Sequence, residues 1–260
     1  MSRSAVLCIE TATPVCAVAL AIEDQPVLEE RLEERGAHAQ RLPGMVASLL
    51  AEAGIATQDL TALVLSAGPG SYTGLRIGAS FAKGLLFARG IPFYAANTLA
   101  GLAMGVVDPT VRHIHAVIDA RRTHVYHQGF EWDGRVLHPK GMPVLRELRE
   151  VEGWLGRGDV LCGTGWHRFS PDAIAECRCY DAEYIRASAL VTLYKRTYKL
   201  PETKDLDPSL GGFDRAGATT DRYEQDRSQH IALDHAVDHP LIRLCPIEHF
   251  EPDYRGNPYQ

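Results

Sequence analysis

The chain has 260 residues, of which 45% are hydrophobic and 23% charged, and a formal net charge of −6. That composition suits one large globular domain or two of about 100–150 residues. It excludes a protein that grips nucleic acid unaided, because phosphate neutralisation needs a basic face.

No apolar run approaches the roughly 18–20 residues of a membrane-spanning helix. The first apolar strand is broken by Glu10 and Pro14 instead of continuing as a secretory core segment. A cytoplasmic protein with no membrane contact is expected. Cys8, Cys16, Cys162 and Cys245 sit among apolar residues, and Cys177-Arg178-Cys179 has neither zinc nor redox spacing. All six read as structural.

Taken in chain order, Ala5 to Ile9 reads as a buried strand closed by Glu10. After a turn at Thr11 to Pro14, an alternating strand runs to Ile22, and a charged third strand follows Val27-Leu28. Ala39 to Ala53 carries Leu42, Met45, Val46, Leu49 and Leu50 at helical spacing, with Gly54 placed to end it. Leu60 to Leu65 is a short strand. Gly74 to Arg89 is a helix apolar around most of its circumference, so it is expected to be buried on more than one side. A strand at Ile91 to Ala95 and a helix at Thr98 to Gly105 complete a first unit.

A second unit opens in the same way. Ile114 to Ile118 ends on Asp119, turns through Arg121-Arg122, returns over Val125 to Phe130, and turns again at Trp132-Asp133-Gly134. The two closing carboxylates are 119 − 10 = 109 residues apart, which predicts a duplicated lobe. A helix near Val144 to Leu155, a strand at Asp159 to Cys162 and a helix near Ala187 to Thr197 follow. The lobes are expected at 1–106 and 107–260, with a polar, non-periodic insertion at 201–229 and a tail from Leu241 packed over the body.

The strongest motif is Ser66-Ala67-Gly68-Pro69-Gly70-Ser71-Tyr72-Thr73-Gly74-Leu75-Arg76, between a buried strand and a helix. Gly68, Gly70 and Gly74 give backbone freedom or close approach, Pro69 stiffens the turn, and Ser71 or Thr73 can cap the helix. Two functions fit: N–H groups at the helix start can hold an anion, or the glycines allow strand and helix to pack closely. The spacing is neither a P-loop nor a dinucleotide fingerprint.

With this motif, Ile9-Glu10-Thr11-Ala12-Thr13, His38-Ala39-Gln40-Arg41-Leu42-Pro43 and Ile118-Asp119-Ala120-Arg121-Arg122-Thr123-His124-Val125-Tyr126 resemble the glycoprotease-like family of threonylcarbamoyladenosine biosynthesis proteins, on its TsaB (YeaZ-like) side. The resemblance is specific from Ala5 to about Phe130, weak to about Arg196, and returns faintly at Glu251-Pro252-Asp253-Tyr254-Arg255. It implies an α/β, two-lobed actin-like fold (ASKHA, RNase H-like) with a duplicated strand meander. It further implies a partner of a TsaD-like catalytic subunit, working with a TsaE-like ATPase on tRNA reached through the complex.

The catalytic relative carries Asn-His-x-x-x-His, whose histidines bind a metal. Here the stretch is Asn97-Thr98-Leu99-Ala100-Gly101-Leu102, and threonine and leucine do not serve as such ligands. No catalytic residue, no metal and no cofactor bound alone are therefore expected.

The kinase-type phosphate turns lack glycine, which leaves ATP at a subunit boundary, near Asp119, Arg121 and Arg122, as the remaining nucleotide reading. His38 opens the first helix as a functional or capping residue, and Arg76 belongs to the motif. Met45, Leu49, Phe81 and Leu85 are expected to exceed what the lobe buries and to face a partner or a second copy, with ordinary core as the alternative. His235 and His239 read as a polar surface turn. The competing function is an ATP-dependent small-molecule kinase of the same fold.

Overall fold

A computed structural model describes residues 4–34, 36–87, 89–198, 239 and 241–253. The insertion at 201–229, His235, Tyr254 and Arg255 lie outside the described residues. No helix among those described is long and apolar enough to cross a membrane.

The first half builds β1 (Ala5–Glu10), β2 (Val15–Ile22), β3 (Leu28–Glu33), α1 (His38–Ala53), β4 (Ala62–Ser66), α2 (Tyr72–Leu86), β5 (Phe93–Ala96) and α3 (Thr98–Met104). The second half repeats that order as β6 (His113–Asp119), β7 (His124–Trp132), β8 (Leu137–Glu147), α4 (Leu148–Glu152), β9 (Val160–Cys162), α5 (Pro171–Ile174), β10 (Arg178–Tyr180) and α6 (Ala187–Tyr198). A last strand, β11 (Ile242–Cys245), has no counterpart.

The sheets show the duplication directly. One has the order β11-β5-β4-β1-β2-β3 and the other β10-β9-β6-β7-β8. In each, the first strand pairs antiparallel with the second and parallel with the fourth. This is a two-lobed α/β architecture, as the paired meanders predict.

β1 and β2 are buried at every position, as strands covered on both faces must be. α1 and α2 cover the outer face of the first sheet, where Leu42, Met45 and Leu49 meet Leu7, Ile9 and Leu20. Gly54 ends α1 in the left-handed region at φ 66°, the conformation that favours glycine at a helix C-terminus.

The central helices interleave. α3 packs on β6, β7 and β8 of the second sheet, and α6 packs on β1, β2 and β4 of the first. One apolar core therefore runs from Val6, Cys8 and Ala17 through Leu99, Leu102 and Leu190 to Ile114, Ala116 and Phe130. The tail crosses back as well, since β11 pairs with β5, and Phe250 rests on Phe93 at 4.7 Å between ring centroids.

One helix assignment is corrected. Residues 137–147 form a strand, and only Leu148–Glu152 is helical. Val144, Leu148, Val151 and Leu155 have helical spacing, but Val144 pairs with His127 in the sheet. The ladder with β7 outweighs a weak local helical preference.

Candidate functional site

The glycine motif joins the end of β4 to the start of α2. Ser71 caps the helix, its Oγ accepting from the Gly74 N–H at 3.2 Å, whereas Thr73 is exposed on the outside of the helix. Added Cβ atoms would overlap the Ala12 carbonyl at Gly70 and the Thr11 carbonyl at Gly74, and would stand 2.5 Å from the Asp253 carbonyl oxygen at Gly68. The glycines thus let α2 and the tail lie directly on the turn after β1. Close packing, the second reading of the motif, is what the geometry shows.

That turn is tied from several sides. Glu10 is buried and accepts the Ala12 N–H at 2.7 Å, and the Thr11 N–H donates to Ser66 Oγ. Burial pushes the Glu10 carboxyl up to about 7 against the pull of its hydrogen bonds to Ser66, Ala12 and Thr13. His38 does not cap α1. Its ring is buried, and Nε2 donates to the Thr13 carbonyl at 3.0 Å, which pins the helix start to the same turn.

α3 lies behind the motif. Thr98 Oγ1 accepts from the Gly68 N–H at 3.0 Å, and the Thr98 N–H donates to the Gly68 carbonyl at 3.0 Å. One turn later, Leu102 packs against Gly163, where an added Cβ would stand 2.9 Å from Leu102 Cδ1. Gly163-Thr164-Gly165 follows β9 as Gly68-Pro69-Gly70 follows β4, and Gly163 likewise has a positive φ, 99°. Thr98 and Leu102 therefore hold the two glycine turns, one in each lobe. Among the described residues, no group of three or more His, Cys, Asp or Glu side chains is arranged to hold a metal ion.

At the matching end of the second lobe, Asp119 accepts the Arg121 N–H at 2.8 Å and an Arg168 guanidinium N–H at 2.5 Å. Arg168 also donates to the Arg122 carbonyl. Arg121 and Arg122 occupy the left-handed region at φ 69° and 51°, which costs about 1–2 kcal/mol per non-glycine residue. Their turn is held by the Asp119–Arg168 bracket and stands at the surface, where all four side chains are partly or fully exposed. Asp119 and Arg121 are brought together, while the glycine motif is on the other lobe.

The expected partner residues divide. Met45 and Leu49 are 2% and 3% exposed and belong to the monomer's core, and Phe81 and Leu85 are half-buried against it. The apolar face of α1 that looks surplus in sequence is the face covering the sheet, so Met45 and Leu49 are not available to a partner. What lies outside is a groove of about 470 Å³ between α1 and α2, lined by Ala39, Pro43, Thr73, Ile77, Ser80 and Phe81 among others. Arg76 stands on its rim, donating to the Tyr72 hydroxyl at 2.8 Å.

A family model described as TsaD, tRNA N6-adenosine threonylcarbamoyltransferase, matches residues 33–159. The tRNA threonylcarbamoyladenosine biosynthesis protein TsaB of Escherichia coli K12 is 34% identical over 179 residues, which cover 64% of this chain and 74% of the relative. TsaB of Bacillus subtilis 168 is 36% identical over 127 residues, covering 46% of this chain and 52% of the relative. Among solved structures, YeaZ from Pseudomonas aeruginosa superposes with a TM-score of 0.64 at 30% identity, covering 74% of this chain and 90% of that one.

The chain belongs to the TsaB family.

Several parts of this TsaB-family site escape sequence reasoning. Gly163 and Gly165 could have been found, since a Gly-x-Gly directly after a strand repeats the signal at Gly68 and Gly70. The groove could not, because Ala39, Thr73 and Ser80 carry no pattern until two helices are set side by side. A further cluster lies on the outer face of the second sheet. His115 Nδ1 and His127 Nε2 are 3.0 Å apart, and His115 Nε2 is 3.4 Å from Asp159. Burial lowers both rings, taking His127 down to about 3.

Proposed function

We propose that this chain is a non-catalytic partner subunit in the biosynthesis of threonylcarbamoyladenosine in tRNA, binding and supporting a TsaD-like catalytic subunit. The observation that carries the reading is the use made of α3. Thr98 and Leu102 stand where the catalytic relative places metal-binding histidines, and both are spent on packing the two glycine turns. A lobe built in this way keeps the scaffold and gives up the metal chemistry.

The outer face of α1 and α2 supplies the means of docking. It is apolar at Pro43, Ile77 and Phe81, small at Ala39 and Ser80, and open along the groove. The matched stretch at residues 33–159 includes both helices, so a TsaD-like subunit would present a related helix pair. Two related pairs can meet about a pseudo-twofold axis, and a second copy of this chain could use the same face when the partner is absent. A TsaE-like ATPase and the tRNA then join through the assembly. An ATP at a subunit boundary formed by the second lobe would meet Arg121 and Arg122, whose turn is already braced by Asp119 and Arg168.

The test is co-purification of the TsaD-like subunit from the native host, with threonylcarbamoyladenosine in tRNA measured after depletion of this chain. Loss of the modified nucleoside and recovery of the partner are expected. Unchanged modification with no such partner recovered would overturn the reading.

A further inference from the structure

We propose that α3 and the amide pair Asn97–Gln128 lock the two lobes at one separation, so that this chain moves as a single rigid body with no opening stroke. The proposal concerns the chain alone and holds whether or not the partner reading above is right.

Lobes that swing about a ligand cleft meet through modest, polar and wet surfaces, and relative motion is the default unless the interface is large and apolar. Here it is large and apolar. All seven residues of α3 are buried, and the helix belongs by sequence to the first lobe but lies on the second sheet. Its neighbour α6 makes the opposite exchange. Gly101 brings them so close that an added Cβ would stand 2.9 Å from Leu190 Cδ2. Opening would have to pull each helix off the sheet of the other lobe.

Polar groups fix the register within that apolar layer. Asn97 caps α3, its Oδ1 accepting from the Leu99 and Ala100 N–H groups at 2.9 and 3.3 Å. Its Nδ2 donates across the lobes to Gln128 Oε1 at 2.7 Å, and Gln128 Nε2 donates to the Gly141 carbonyl at 2.7 Å. Gln128 is 2% exposed and Asn97 half-buried, so in the closed arrangement the Gln128 end of this network is shielded from water. A displacement too small to admit water would leave the Gln128 amide buried and unpaired, which costs more than the bond contributed. The Asn97 N–H donates to the Leu241 carbonyl at 2.8 Å, binding the returning tail to the same point. Thr98 and Leu102 then fasten a glycine turn of each lobe to the one helix.

Backbone hydrogen exchange tests the lock on the isolated wild-type chain and on a Gln128→Leu, Thr98→Val double variant, each with and without Mg–ATP. In the wild type, α3 should be as protected as the strands β1 and β4, and Mg–ATP should change neither this pattern nor the radius of gyration in small-angle scattering. The variant should lose about tenfold or more of the protection in α3 and in residues 66–70, while β1 and β4 keep theirs. Three results would overturn the proposal: wild-type α3 exchanging far faster than β1, a scattering change with Mg–ATP, or α3 protection unaltered in the variant. If the variant unfolds as a whole, the wild-type comparison of α3 with β1 and β4 still decides.

Discussion

Thr11 follows β1 with its hydroxyl fully buried against Gly78, and among the described buried side chains its Oγ1 is the atom left without a hydrogen-bond partner. A buried hydroxyl with no partner costs about 1–3 kcal/mol. Thr11→Val keeps the shape and removes that cost, so a rise in stability of about 1 kcal/mol is expected in urea melts. Beside it, Glu10 gives a pH signature. Its carboxyl is raised to about 7 in the folded chain from an ordinary 4.5, so the folded state binds the proton more tightly than the unfolded one. Its contribution is complete below about pH 4.5 and is lost as the pH rises through 7. Glu10→Gln should therefore stabilise the protein by about 1–3 kcal/mol at pH 8 and change little at pH 4, as thermal melts at the two values would show. His127 acts in the other direction. Its folded value, about 3, lies below the usual 6.5, so the unfolded state gains the proton first and stability falls as the pH drops from 6.5 towards 3. His127→Phe should flatten that acid limb.

At the scale of elements, the buried and exposed sides of the outer helix pair make opposite predictions. Met45→Glu places a charge under α1 against Leu7 and Ile9 and should cost more than about 3 kcal/mol, visible as a collapsed melting transition before any assembly is assayed. Ala39→Trp with Ser80→Glu lies on the exposed side of the same pair. It should leave the melt within about 1 kcal/mol of wild type and abolish capture of the TsaD-like subunit in a pull-down. Survival of the complex in that double variant would remove the groove from the proposal. Periodicity in the sequence identifies α1 as amphipathic and places its ends, because Leu42, Met45, Val46 and Leu49 repeat at helical spacing and Gly54 stops the run. It does not say whether that stripe meets a sheet or a stranger, since both burials need the same side chains. β8 shows the same limit in another form. Helical spacing from Val144 to Leu155 is legible, but the neighbouring strand β7 decides the outcome.

For the whole molecule, the pair of carboxylates 109 residues apart and the matching meanders make the duplicated lobe readable from the chain alone. The strands β1 to β7 and β9, the α1 and α3 helices and the glycine turn after β4 follow from local pattern and turn chemistry, which act over a few residues. The absence of histidines at 98 and 102 is likewise a fact of sequence. What Thr98 and Leu102 do instead is not, because their partners Gly68 and Gly163 lie 30 and 61 residues away and come together only when α3 crosses to the other sheet. The exchange of α3 and α6 between lobes, the return of β11 to the first sheet and the burial of Met45 and Leu49 were settled by tertiary structure for the same reason. Local residue preferences set what each segment can form, whereas which apolar face covers which depends on the free energy of a core assembled from distant parts of the chain.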